Sequence, residues 1–110
     1  MPNWHLRLEI LKLICLLIYD AGTGFEIDDL KLLTTICALL DDDVKKVKMA
    51  AFDTLVVICK HWPKLKAQEI LVEIMEVKVF EFLCDKIDDR KYDVISQIKQ
   101  LNKVENEKIE

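Results

Sequence analysis

Nucleophilic catalysis needs a Ser, Cys or Thr beside a base that a third group holds in place, and this chain offers poor material for it. Its histidines are His5 and His61. His61 stands two residues from Cys59, a spacing that turns the two side chains about 200° apart on a helix. A surface histidine beside a helix end is the expected reading, and no Cys-His dyad. Carboxylates gather at Asp41-Asp42-Asp43 and Asp88-Asp89. Hard cations favour oxygen ligands, but neither run has the central Gly and closing Glu of a calcium loop, so both read as helix-capping turns. Gly22-Thr23-Gly24 lacks the Gly-Lys-Ser/Thr ending and the preceding strand of a phosphate loop, and reads as a helix stop. No catalytic set, metal site or cofactor site is expected.

The four cysteines, Cys15, Cys37, Cys59 and Cys84, each follow an Ile or Leu inside an apolar run, where a thiol behaves as a small hydrophobe. A disulfide framework would favour loops of a short secreted chain, and no C-x-x-C pair or Cys/His cluster has zinc spacing. Buried free thiols are expected, which implies a reducing compartment: a cytoplasmic protein, with a cytoskeletal setting open to it. A net charge of −4 supplies no global positive field for a phosphate backbone. The longest apolar stretch, Leu13 to Tyr19, is far shorter than the roughly 18 to 20 residues that cross a bilayer. Neither nucleic acid nor membrane is an expected partner.

The elements that must position these residues are helices. With two Gly, two Pro and one Ser, Ser96, in 110 residues, the chain cannot supply the frequent tight turns of a sandwich or barrel. Apolar spacing and the sparse breaks predict five helices, at about 4–20, 27–40, 43–62, 65–87 and 89–102, in one domain over 1–104, with a frayed tail at 105–110. Leu6, Leu8, Ile10, Leu11, Leu13, Ile14, Leu17 and Ile18 make a broad stripe on the first. The third is apolar on most sides and should be the most buried. In the fourth, the β-branched residues around Val77 and Val79 make the weakest helical stretch.

The cysteines also act as a ruler. Cys15, Cys37 and Cys59 stand 22 residues apart and Cys84 follows 25 later, about one helix plus a connection. Within this spacing, LKLLTTICALLDDDVKKVKMAAFDTLVVICKHW resembles one complete HEAT repeat: leucines Leu39 and Leu40 end a helix, Asp41 and Asp43 fill an acidic turn, and Val47, Lys48, the small pair Ala50-Ala51 and Leu55 open the second helix. The small pair lets neighbouring backbones approach closely. By this resemblance the first helix is the second half of a preceding repeat, and the last two form a more divergent pair. The fourth lacks the family's usual proline and the fifth lacks the alanine pair. The implied fold is all-α, a right-handed alpha-alpha superhelix of the HEAT or armadillo kind.

The opening helix, with Trp4, Arg7 and Leu11, further resembles the first helices of TOG domains, the HEAT arrays of microtubule regulators. In that family a tryptophan on the first turn and basic residues on later turns meet tubulin. The resemblance implies that Trp4, Lys45 or Lys46, and Arg90 or Lys91 bind tubulin or another cytoskeletal protein, although Asp41 to Asp43 put acid beside that ridge. Trp62 is expected to pack against a neighbouring repeat; for Trp4, packing and a role as binding anchor both stand. Lys45, Lys46 and Lys48 with Lys60, Lys64 and Lys66 make two small basic patches at the ends of the third helix. The expected function is a non-catalytic interaction or scaffolding module of a helical solenoid. The alternative is an architectural domain that pairs two copies of a longer protein through the first helix or the last, or through flanking repeats.

Overall fold

The computed structural model describes residues 3–21, 29–61 and 67–100. Among these residues every regular element is helical and there is no strand. Helix α1 is Trp4–Ala21, α2 is Asp29–Ala38 followed by a 3-10 turn at Leu39–Asp41, α3 is Lys45–His61, α4 is Ala67–Ile74 and α5 is Val77–Asp88. A last helix, α6, covers 94–100. No helix among the described residues is long and apolar enough to cross a membrane.

Short polar side chains start α1 and α3, since the first N–H groups of a helix lack partners within it. The Asn3 side-chain oxygen accepts from the His5 N–H at 3.0 Å, and its carbonyl accepts from Leu6 and Arg7. Asp42 Oδ1 accepts from the Val44 N–H at 2.9 Å just ahead of α3. That is one of the acidic triplet in its expected capping role.

Helix α1 lies on α3, and its neighbours fix the direction. Trp4 meets Lys46, Arg7 pairs with Asp42, Cys15 bonds Thr54, and Tyr19 packs edge-on against His61. Low numbers meet low numbers and high meet high, so the two helices run parallel. The chain returns between them through α2, which packs on α3 through a short turn. Then α4 continues alongside α2, and α5 alongside α3. Two rows result: α1, α3 and α5 in one, α2 and α4 in the other.

The buried residues form one cluster across both rows. Helix α3 supplies the largest share of it, with Val47, Ala51, Thr54, Leu55, Val56, Val57 and Ile58 all buried, as apolar residues on most of its sides predict. From α1, by contrast, only Leu11, Cys15 and Ile18 are buried, while Leu6, Ile10, Leu13 and Leu17 face outward. The broad stripe therefore divides into an inner and an outer half.

Two expected boundaries are corrected. The single helix over 65–87 is two helices, broken at Met75–Glu76, where Glu76 has an extended backbone with ψ 138°. Its core residues explain the break: Leu71 and Leu83 are both fully buried, yet 12 residues of continuous helix would turn them about 120° apart. Interrupting the helix ahead of the low-propensity Val77-Lys78-Val79 segment re-aims the second half at the core. The last helix also begins later than 89. Asp89 closes a turn by accepting from the Lys91 N–H at 2.9 Å, and it is Asp93 that caps α6, taking the Ser96 N–H at 3.1 Å and the Ser96 hydroxyl at 2.7 Å. The expected tail at 105–110, and Trp62, Lys64 and Lys66, lie outside the described residues.

Leu55→Ala should lower the unfolding free energy by about 3 kcal/mol, since it empties space in a closed core, whereas Leu30→Ala on the exposed face of α2 should cost under about 1 kcal/mol. Urea denaturation followed by circular dichroism measures both; equal losses would contradict the burial described.

Candidate functional site

The seam between α1 and α3 opens into a groove of about 490 Å³, within the range of pockets that take small molecules or peptide side chains. Leu8, Met49, Ala50, Val94 and Ile98 give it an apolar lining, and Glu9, Lys12, Lys46, Asp53 and Gln97 give it charged and polar edges. Trp4 and His5 close one end, their rings stacked with centroids 3.6 Å apart. The Lys46 ammonium lies 5.8 Å from the Trp4 ring centroid, in reach of a cation–π contact. Trp4 is half-buried, so it packs against its own domain while presenting an edge to the groove.

The far wall is α6, and three ties hold it there. Lys60 Nζ donates to the carbonyls of Asp89 at 2.8 Å and Tyr92 at 2.7 Å, which pins the turn before the helix to α3. The Tyr92 hydroxyl donates to Asp53 Oδ1. Lys99 places its ammonium 4.8 Å from the Tyr19 ring centroid on α1. Residues 92–99 therefore cross the seam from α3 to α1.

Burial pushes the Asp53 carboxyl above the usual carboxylate range, and the Tyr92 hydrogen bond works against that shift. Tyr92 itself is raised well above an ordinary phenol, first by burial and then by the adjoining Asp53 carboxylate, which accepts the bond only while the phenol keeps its proton.

Cys15 lies at the groove floor with its thiol donating to Thr54 Oγ1 at 3.4 Å, and Thr54 in turn donates to the Ala50 carbonyl at 2.7 Å. Burial pushes the Cys15 thiol up to about 11. It also pushes Cys37 up to about 11 and Cys59 up to about 12, the neighbouring Cys84 and Cys37 adding to the latter. All four cysteines are free. At neutral pH Cys15, Cys37 and Cys59 are thiols and not the nucleophilic thiolates. His61 packs against the Tyr19 ring, 5.2 Å between centroids, with its pKa lowered by burial and by Lys60. No group of three His, Cys, Asp or Glu among the described residues has the arrangement of a metal site.

The residues singled out from the sequence fall into two places. Trp4 and Lys46 come together at the groove; Lys45 is exposed beside them at the start of α3. Arg90 lines a separate depression of about 280 Å³ with Tyr19, Lys60, His61, Asp93 and Lys99. Tyr19 and Trp4 stand 15 residues apart on α1, about 22 Å along its axis, so the two places are at opposite ends of the α1–α3 pair. Lys91 is exposed in the same turn as Arg90. Arg7 is committed inside the fold: its Nε lies 2.9 Å from Asp42 Oδ2 and its Nη2 donates to Oδ1 at 3.2 Å. That pair also holds the Asp42 carboxyl below the usual range, after the larger effect of the Val44 N–H.

Sequence reasoning passed over Asp53 and Tyr92 as site-building residues and placed Lys60 only in a basic surface patch. Their partners lie 29 to 39 positions away, beyond the reach of helical periodicity. The chain gives no significant match to a family model, to a curated protein or to a solved structure.

Because the folded state favours the protonated phenol, the stability contributed by Tyr92 is fully present below the ordinary phenol value near 10 and is lost as pH rises through the higher folded value. In a Tyr19→Phe variant, ultraviolet absorbance should show phenolate forming well above pH 10, coincident with loss of stability. Ionisation at the ordinary value with the fold intact would show that Tyr92 does not hold Asp53.

Proposed function

We propose that the chain is a non-catalytic protein-binding module of helical-repeat type, and that it receives its partner in the groove between α1, α3 and α6. The observation that carries this reading is the combination at the groove mouth: a half-buried tryptophan, a lysine over its ring and a continuous apolar floor. A fixed aromatic anchor beside a positive charge is the chemistry that dominates protein interfaces.

A HEAT-like or armadillo-like superhelix is the architecture we favour. It is supported by the parallel course of α1 and α3, which suits the second helices of successive repeats, and by the two rows of helices. Ala51, fully buried, and Ala50, half-buried at the groove, sit where α1 comes against α3, the place the small pair occupies in such repeats. In one respect the chain departs from a simple stack. Repeats in series touch only their neighbours, whereas α6 returns to α1.

For the partner we favour an acidic protein surface, with tubulin as the candidate that the TOG resemblance suggests and a cytoskeletal, cytoplasmic setting as its consequence. Trp4, Lys45 and Lys46 form the contact in this reading. Arg90 and Lys91, about 22 Å away along the helix pair, serve only a partner broad enough to span both ends.

Co-sedimentation with purified α/β-tubulin tests this. Trp4→Ala should weaken binding about thirtyfold, the effect of removing an interface anchor worth about 2 kcal/mol. Lys46→Glu should weaken it further, more so at low salt, with the circular dichroism spectrum unchanged. Binding that survives both substitutions would refute the groove. Failure of the original chain to bind would refute tubulin as partner.

A further inference from the structure

The groove does not account for the most conspicuous apolar surface of the molecule. On the outer side of α1, Leu6, Ile10, Leu13 and Leu17 are exposed at 58%, 46%, 55% and 40%. Their spacing of four, three and four residues is that of a two-helix seam, where apolar side chains recur every 3.5 residues on average. Together they leave a patch on the order of 300 to 400 Å², a size that marks interaction sites. Leu8, on the groove side, lies about 140° around the helix from Leu13, so the stripe and the groove are separate surfaces.

We infer that this stripe is the contact surface for a second copy of the same chain, with the two α1 helices antiparallel about a twofold axis. The stripe is complementary to itself in that arrangement and in that direction. Leu6 falls opposite the second copy's Leu17, and Ile10 opposite the second copy's Leu13, each pair occurring twice as a two-fold interface requires. One step beyond the stripe at either end stand Asn3 and Asp20, both exposed, and the same register sets each Asn3 amide against an Asp20 carboxylate. A parallel pair would instead place Asp20 against itself, two like charges at the edge of an apolar seam. An 18-residue helix is about 27 Å long. Laid along its copy it covers on the order of 500 Å² a side and about 1,000 Å² in all, the lower bound of a specific but weak interface. The dimer is therefore concentration-dependent, and the Trp4–Lys46 groove stays open in both copies.

Sedimentation equilibrium of the 110-residue chain from about 1 to 300 µM should show a monomer–dimer equilibrium with a dissociation constant of about 10 to 100 µM. Leu13→Glu should weaken it at least a hundredfold, because the substitution counts twice, and should leave the monomer's helical spectrum intact because the position is half exposed. A complementary pair fixes the register. Leu6→Glu and Leu17→Lys should each be monomeric alone, and their mixture should associate, since only antiparallel helices bring the new Glu and Lys together while restoring Leu6 against Leu17. A monomer at every concentration, a dimer that tolerates Leu13→Glu, or a mixture that stays monomeric would each overturn the inference. The first would assign the stripe to another protein or to another part of a longer chain.

Discussion

The parallel seating of α1 on α3 is the constraint from which the remaining features follow. It is closed along its length by contacts of different kinds: the Arg7–Asp42 ion pair near one end, the Cys15–Thr54 hydrogen bond in the buried middle, and the Tyr19–His61 ring contact at the other end. Apolar burial around Leu11, Ile18, Val47, Leu55 and Ile58 supplies the non-directional stabilisation. The polar contacts fix the direction and register that burial alone leaves open. Among the described residues Thr54 is the buried polar residue of the core, and its hydroxyl both accepts from Cys15 and donates to the Ala50 carbonyl, whereas Arg7 Nη1 at the end of the seam is buried without a hydrogen-bond partner. Two helices can run parallel only if the chain returns between them. That return is α2, and it founds the second row of helices.

Once α1 is fixed in this way, its two remaining sides have different fates. One faces the groove and is walled by α6; the other carries the exposed stripe of Leu6, Ile10, Leu13 and Leu17. Buried polar contacts govern the first. Lys60 spends its charge on two backbone carbonyls and Tyr92 its hydroxyl on Asp53, and these commitments hold α6 in place. Charge that is paired inside the fold is not available for recognition, which is why Lys60 drops out of its basic patch while Lys46, beside Trp4, stays exposed at the groove.

Much of the fold was legible in local sequence. The periodicity of α1 and α3, the acidic capping turn at Asp42 and the large contribution of α3 to the core follow from spacing and propensity, properties a few residues determine among themselves. Where α4 gives way to α5 was less legible, because no Gly or Pro marks the break; it arises from the need to aim both Leu71 and Leu83 at one core, a demand set by distant helices. The apolar residues of α1 were visible as a set, but their division into buried Leu11 and Ile18 and exposed Leu6 and Leu13 depends on where α3 lies. The groove was half legible. Trp4 and Lys46 stood out by type, while Asp53, Tyr92 and α6 join them only through contacts across nearly forty residues, and Arg90 and Lys91 belong to the other end.

The direction of α1 against α3 is most directly read from nuclear Overhauser contacts in the isotope-labelled protein. Cross-peaks between the Tyr19 and His61 rings and between the Cys15 β-protons and the Thr54 methyl group, together with Trp4 to Lys46, are the result expected of parallel helices. Contacts of Tyr19 with Lys46, or of Trp4 with His61, would reverse α1 and with it remove both the groove and the outward stripe.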